Sequence, residues 1–329
     1  MKLLFVSSGN MSFSNLDENI IHGFQEIETN HLVNPFHFHH PILQSIEDVH
    51  EQLNKNKPDI VLVLKRKLPI EWIQLFQQHR IPVGLWVVDD PYLIKVHLSQ
   101  GKPYDFLITQ EINGPAFYAN KGMKAYYLPL AVNETIYFPK KVDRDYQSDI
   151  CFVGSGMPNR IRLFQQLTDY FKDKKITIIG RWWEPLKKQV NWHRKVINKT
   201  IKPEETSRYY SGAKIVLNIH RQSSDKTYNP FPLKANTPNN RTFDIAACRA
   251  FQLSSFRKSM SDFYGADEIV QYYTPNDLVE KLEYYLTNHE EREAISHKAY
   301  ERTLYEHTYV HRMKQLIALL RENVLHSAK

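Results

Sequence analysis

Short runs of aliphatic, β-branched and aromatic residues alternate along the first half of the chain with longer amphipathic stretches. Residues 3–6, 60–64, 83–88, 106–109 and 125–128 read as strands, with a weaker one at 31–33. Between them, 13–27, 42–54, 70–79 and 112–120 carry apolar residues three and four apart, the spacing of one helix face. Strands apolar on both faces, separated by helix-length segments, predict βαβ units and a parallel sheet covered on both sides. The pattern breaks at 138–145, a charged stretch containing Pro139 that reads as a linker, and then restarts. Strands are expected at 149–153, 176–179, 215–219, 251–253 and 269–272, with helices at 160–171, 203–211 and 242–249. From Pro275 onward the period is helical throughout, over 277–287, 290–305 and 310–324.

At 329 residues the chain exceeds what one core usually fills, and two domains of about 150 residues each are expected. The boundaries that follow are 1–145, 146–308 and a helical segment 309–329 packing back on the first domain. A composition of 42% hydrophobic and 24% charged residues is that of a globular protein, not of a disordered chain, a fibre or a membrane bundle. No apolar stretch approaches the roughly 20 residues that span a bilayer. The N-terminal run is too short for a signal peptide and reads as a first strand. Cys151 and Cys248 are far apart and support neither a disulfide framework nor a zinc site, so a cytoplasmic protein is expected. The aromatic content of 12%, with 19 Tyr, suits binding clefts and equally suits large cores with buried hydroxyls.

The formal charge of +7 is compatible with nucleic acid, an anionic surface or phosphorylated small molecules as partner. No basic helix repeats over several turns and no RNA-binding aromatic signature is present, so nucleic acid is not expected. Lys187, Lys188, His193, Arg194, Lys195, Lys199 and Lys202 gather in one segment that also holds Trp182, Trp183 and Trp192. It reads as a solvated face, with the Trp residues either lining an acceptor groove or covering the core. His31, His37, His39 and His40 are close enough to suggest zinc, but without a flanking acid or Cys a solvated loop is the expectation.

Ligands of open α/β sheets bind at the carboxyl ends of strands, which directs attention to the first turn of each half. Ser7-Ser8-Gly9-Asn10 follows the first strand; Gly154-Ser155-Gly156-Met157-Pro158-Asn159-Arg160 follows the first strand of the second half. Neither is a dinucleotide fingerprint or a P-loop. The second opens a helix whose free amides and dipole favour an anion, with Arg160 adding charge, although it reads equally as a plain structural turn. A richer constellation follows. A strand ends in Asn218, His220 and Arg221, and about twenty residues later a polar turn opens a helix bearing Asp244 in its first turn. An acid there stabilises the helix dipole, and it is also placed to meet vicinal hydroxyls of a ligand whose phosphate lies at the helix start. Two arginines and one acid around such a turn fit a nucleoside diphosphate and its ribose.

These residues carry a resemblance. Phe152-Val153-Gly154-Ser155 with Arg160, Leu217-Asn218 with Arg221, Asn240-Arg241-Thr242-Phe243-Asp244 through Leu253, and His307-Thr308-Tyr309 with Arg312 resemble the glycosyl transferase-like domain of the CgeB/YkvP spore-maturation proteins, relatives of the GT-B glycosyltransferases. Val88-Asp89-Asp90-Pro91-Tyr92 resembles the Asp-rich turn of the N-terminal domain that accompanies it. The resemblance implies an α/β GT-B fold, two Rossmann-like domains facing across a cleft with a helical C-terminal tail. It implies a transferase moving a sugar from a nucleotide-sugar donor, held by the second domain, to a spore-envelope or cell-surface glycan or protein acceptor, held by the first. The location implied is cytoplasmic with an association to the spore.

Asp244 matches the acid that contacts the donor ribose. Asn236 stands where many retaining relatives carry Glu, and Arg249 where relatives often have Gly. Ser8, Gly9, Gly154, Ser155, Arg160, Asn218, Arg221, Asn236, Asn240, Arg241, Thr242 and Asp244 are the expected substrate contacts. The negative charge that builds as a nucleoside diphosphate departs is relieved by the Gly154 and Ser155 amides, the helix start near Asn240, and Arg160 or Arg221, with no metal and no further cofactor. For an inverting reaction Asp89 or Asp90 is the expected base, a helix N-cap before Pro91 being the competing reading. The rival function is a catalytically degenerate scaffold in spore assembly.

Overall fold

A computed structural model of the chain describes residues 1–9, 15–222, 225 and 229–325. Two compact units result, one made of Met1–Leu130, Lys226–Ala235 and Tyr309–Lys329, the other of Ala131–Asp225 and Asn236–Thr308. The division after Leu130 precedes the stretch expected as a linker, which is packed within the second unit. There Tyr146 meets Tyr209 edge-on at 4.9 Å and the Lys140 amide donates to Ser211 Oγ at 3.1 Å.

The first unit runs β1 (Lys2–Val6), α1 (Leu16–Thr29), β2 (His37–His39), α2 (Ile46–Lys55), β3 (Ile60–Leu64), α3 (Ile70–Gln78), β4 (Val83–Val87), α4 (Ile94–Gly101), β5 (Phe106–Thr109), α5 (Gly114–Ala119) and β6 (Ala125–Tyr127). Its sheet is parallel in the order β2-β1-β3-β4-β5-β6. Central β3, Ile-Val-Leu-Val-Leu, is buried at all five positions; each such side chain contributes about 1.5–3 kcal/mol of transfer free energy. Asn10 and Phe13, parts of the first turn and of the first helix as read from sequence, lie outside the described residues.

No strand forms at 31–33, where His31 turns through the left-handed region at φ 51°. The edge strand lies further on at His37–His39, inside the segment expected as a solvated loop. Its central Phe38 is buried and stacks on Phe24 of α1 at 4.8 Å.

The second unit runs β7 (Ser148–Val153), α6 (Pro158–Gln166), α7 (Thr168–Phe171), β8 (Ile176–Ile179), α8 (Glu184–Lys187), β9 (Val196–Ile197), α9 (Pro203–Gly212), β10 (Ala213–Asn218), α10 (Asn240–Ala247), β11 (Gln252–Ser255), β12 (Val270–Tyr272), α11 (Pro275–Thr287) and α12 (His289–Glu306). Its sheet is parallel in the order β12-β11-β10-β7-β8-β9. Trp183 and Trp192 belong to its core, whereas Trp182 is 46% exposed.

Beyond the second unit the chain forms α13 (Tyr309–Leu320), which lies in the first unit against α1 and runs on into a π-helical turn at Arg321–Leu325. Gly23 permits the close approach: a methyl group there would stand 2.9 Å from both Met313 Cγ and the Tyr309 carbonyl.

Candidate active site

Within the second sheet β7 and β10 are neighbours, and the strand order reverses between them. Their carboxyl ends are therefore where an open α/β sheet holds its ligand. The turn after β7 is shaped by close backbone approach. A methyl group on Gly180, at φ 147°, would lie 2.1 Å from the Gly154 carbonyl oxygen, and one on Gly156 would lie 2.3 Å from the Trp182 oxygen. The Gly154 amide donates to Ile179 O at 2.8 Å, the Gly156 amide to Arg181 O at 2.7 Å, and Trp183 Nε1 to Gly154 O at 2.8 Å. The Gly154 amide is thus engaged, contrary to its expected role as an anion donor. Among the described residues the Ser155 amide donates to no protein acceptor.

Arg160 also departs from expectation. It is 1% exposed, its Nε donates to Ile219 O and its Nη1 to Ser155 O, both at 2.9 Å, and its guanidinium lies over the Phe152 ring. The side chain ties the turn after β7 to the end of β10.

At the end of β10 the amides form a closed network. Asn218 is fully buried; its Nδ2 donates to Thr242 Oγ1 at 2.9 Å and its Oδ1 accepts from Asn239 Nδ2 at 3.0 Å. Asn239 caps α10, its side chain accepting from the Thr242 amide at 3.2 Å, a contact worth about 1 kcal/mol. Asn218 and Thr242 therefore position the helix rather than meet a ligand. The sequence signal for Asn239 is its place directly before a helical run. The helix ends into Arg249 at φ 52°, a left-handed conformation that Gly adopts without steric cost.

The start of α10 presents what remains unpaired. The Asn240 and Arg241 amides have no protein acceptor among the described residues, as is usual for the first turn of a helix. The half-buried Arg241 guanidinium has no hydrogen-bond partner there either, and a methyl group on Gly154 would lie 3.3 Å from its Nη2. One turn along, Asp244 is 4% exposed and accepts from Asn240 Nδ2 at 2.9 Å. Burial pushes its carboxyl well above the usual carboxylate range, against the pull of Arg241 and the Asn240 amide. The structure thus brings Gly154, Ser155, Asn240, Arg241 and Asp244 to one strand-end junction. Arg221 follows β10 with its carbonyl accepting from Arg257 Nη2, and the Asn236 carbonyl accepts from the Ser259 amide at 3.2 Å.

His220 links these pieces. Burial, then the positive charges of Arg257, Arg241 and Arg160, hold its imidazole well below the ordinary value of 6.5. The Asn239 amide donates to Nε2 at 3.3 Å, so the proton of the neutral ring sits on Nδ1, facing Ser255 Oγ at 3.2 Å. Because the unfolded chain protonates this His more readily, folding stability is complete above about pH 6.5 and declines as the pH falls below it. Thermal melts between pH 7.5 and 5.5 should show wild type losing stability faster than His220→Gln, the difference reaching at most about 1.4 kcal/mol per pH unit. Parallel slopes for the two proteins would contradict this account.

In the first unit, the Ser8 amide and hydroxyl both donate to the buried Asp17 carboxylate, at 2.6 Å for the amide, so Ser8 closes the turn after β1. Gly9 follows exposed at φ 70°. Asp89, at φ 72°, is solvent-accessible and pairs with Lys65 at 3.7 Å. Asp90 is no base: it is 2% exposed and its carboxylate accepts from His97 Nδ1 at 2.6 Å, Thr109 Oγ1 at 2.7 Å and Tyr118 Oη at 3.0 Å. Among the described residues no three His, Cys, Asp or Glu side chains are grouped to hold a metal ion, and no helix is long and apolar enough to cross a membrane.

Residues 160–318 match the family model described as glycosyl transferase-like. Over 311 residues, 92% of this chain and 94% of the relative, the sequence is 29% identical to the spore protein CgeB of Bacillus subtilis (strain 168). Among solved structures it is similar to the sucrose-phosphate synthase (tll1590) from Thermosynechococcus elongatus, with a TM-score of 0.65 at 12% identity and all of both chains covered. It is also similar to Anabaena Alr3699/HepE in complex with UDP and glucose, with a TM-score of 0.62 at 11% identity over 98% of this chain and 99% of the other.

Proposed function

We propose that this chain, which has the GT-B fold, matches a glycosyl transferase-like family model over residues 160–318 and is similar to the spore protein CgeB, transfers a sugar from a nucleoside diphosphate donor bound by its second unit. The observation that carries this reading is the Arg241 guanidinium beside the Gly154 turn, which has no hydrogen-bond partner among the described residues, with the Asn240 and Arg241 amides likewise without a protein acceptor there at the same helix start. Donors of that kind, fixed before the ligand arrives, stabilise a diphosphate most when it departs with its charge. Asp244, one turn further, accepts the ribose hydroxyls, and Asn236 hydrogen-bonds the sugar through its amide. The reaction needs no metal in this reading, because Arg241, the α10 amides and the Ser155 amide meet the charge of the leaving group. That the related fold of the Anabaena protein holds UDP and glucose supports this donor class.

If the reaction inverts, Asp89 takes the proton of the acceptor hydroxyl, being the accessible carboxylate of the Asp89-Asp90 pair. The acceptor is a glycan or protein of the spore envelope, a reading supported by the similarity to a spore protein.

Thermal melts with uridine, guanosine, cytidine and thymidine diphosphates test the donor site. One of them should stabilise the chain by about 2.7 kcal/mol at a hundred times its Kd, and Arg241→Ala should remove the shift. No shift with any of the four would end the proposal.

A further inference from the structure

The second unit contains a cavity that the donor site does not use. It has a volume of about 290 Å³ and lies where the carboxyl ends of β10, β11 and β12 meet α6. Its charge is one-sided: Arg162 and Arg257 line it, and none of the residues lining it is acidic. The Arg162 side chain is exposed and has no hydrogen-bond partner among the described residues. Arg257 is fixed in place, its amide donating to Gln271 Oε1 at 2.8 Å and its Nη2 to Arg221 O.

The cavity also offers a ring platform. Phe256 and Tyr273 stack at 4.9 Å between centroids with 28° between planes, although they are 45% and 66% exposed. Two stacked rings left open to solvent beside two cations fit a ligand that brings both an apolar ring face and an anionic group. Asn159 also lines the cavity, held in place by donating through Nδ2 to His220 O at 2.9 Å. The volume sits at the lower end of the range for small-molecule pockets and suits one sugar ring with its substituent, not a whole nucleotide-sugar.

We propose that this cavity binds a phosphorylated monosaccharide, its phosphate on Arg162 and Arg257 and its ring against Phe256 and Tyr273. The site is separate from the Arg241–Asp244 junction and does not depend on the donor reading. Isothermal titration of the full chain with glucose 1-phosphate, glucose 6-phosphate, mannose 6-phosphate and N-acetylglucosamine 6-phosphate tests it, with inorganic phosphate, glucose and UDP as controls. At least one hexose phosphate should bind, at least tenfold more tightly than inorganic phosphate or glucose. Arg162→Gln, a change at an exposed position, should weaken that binding at least tenfold, and Phe256→Ala should do the same. Asp244→Asn should leave it unchanged. Binding of none of the four, equal binding by wild type and Arg162→Gln, inorganic phosphate binding as tightly as the sugar phosphates, or competitive displacement by UDP would each overturn the proposal. The first three leave the donor reading untouched, and the last would place the sugar phosphate in the nucleotide site itself, so the failure of this inference is separable from that of the donor reading.

Discussion

Replacing Asp244 by Asn should move two measurements in opposite directions. The carboxyl is buried and its acidity is suppressed by that burial. A group whose folded pKa lies above its unfolded one stabilises the fold fully below the unfolded value, near pH 4, and that contribution is lost as pH rises through the folded value. At neutral pH the wild-type chain therefore bears a penalty that an amide does not, while the amide oxygen can still accept from Asn240 Nδ2. The ligand-free variant should melt higher at pH 7, by about 2–4 °C per kcal/mol of relief, with the gain vanishing near pH 4. Affinity for the donor nucleotide should fall by up to about tenfold, because the amide leaves one acceptor oxygen where the carboxyl group has two, and a hydrogen bond is worth about 0.5–1.5 kcal/mol. A variant that binds the nucleotide as wild type does, or that melts lower at neutral pH, would refute the assignment.

Asp90→Ala should destabilise the first unit severely. It removes the shared acceptor of three buried donors, on His97, Thr109 and Tyr118. Breaking a buried hydrogen-bonded node of this kind costs about 3–5 kcal/mol, a drop of roughly 6–20 °C in the melting of a unit this size. Asp89→Asn is the informative contrast. Its exposed pairing with Lys65 contributes at most about 1 kcal/mol, so the melt should scarcely change. If Asp89 is the base, transfer should fall by about 10²–10⁴ in kcat. A stable Asp90→Ala protein would show that the three donors find other partners, and an unaltered rate in Asp89→Asn would remove the base from that position.

Legibility in the sequence tracked how local each cause was. Central strands such as β3 and β5 are apolar on both faces and can be read directly, and two parallel-sheet α/β halves follow from their alternation with helices, whereas the GT-B arrangement was implied only by the family resemblance. β2 could not be read, because three residues in a His- and Pro-rich segment become a strand through Phe38 packing on Phe24 and pairing with β1. α4 starts at Leu93, which makes no side-chain cap, so the usual start signal is missing. The site divides in the same way. Arg241 and Asp244 sit on one short helix whose polar start is visible in the sequence. Whether an arginine faces a ligand or the protein is decided by distant carbonyls, however. Arg160 is held by Ile219 O, and Arg257, unnoticed in the sequence, by Arg221 O. Asp90 is filled by donors from α4, β5 and α5, two of them well along the chain.

The three-segment construction of the first unit bears on how the chain is made. α1 has an apolar stripe of Ile20, Phe24 and Ile27, and α13 packs against this helix with Met313, Leu316, Ile317 and Leu320 buried. A ribosome releases α1 early and α13 only after the whole second unit has been synthesised. Through most of synthesis the N-terminal sheet therefore carries a helix lacking part of its cover, a surface on which chaperones act and from which misassembly starts. Neither unit can be excised at a single peptide bond, because the first is interrupted twice by the second. Exchanging donor specificity by grafting the second unit from a relative would thus require the inserted Lys226–Ala235 segment and α13 to be retained from the host chain.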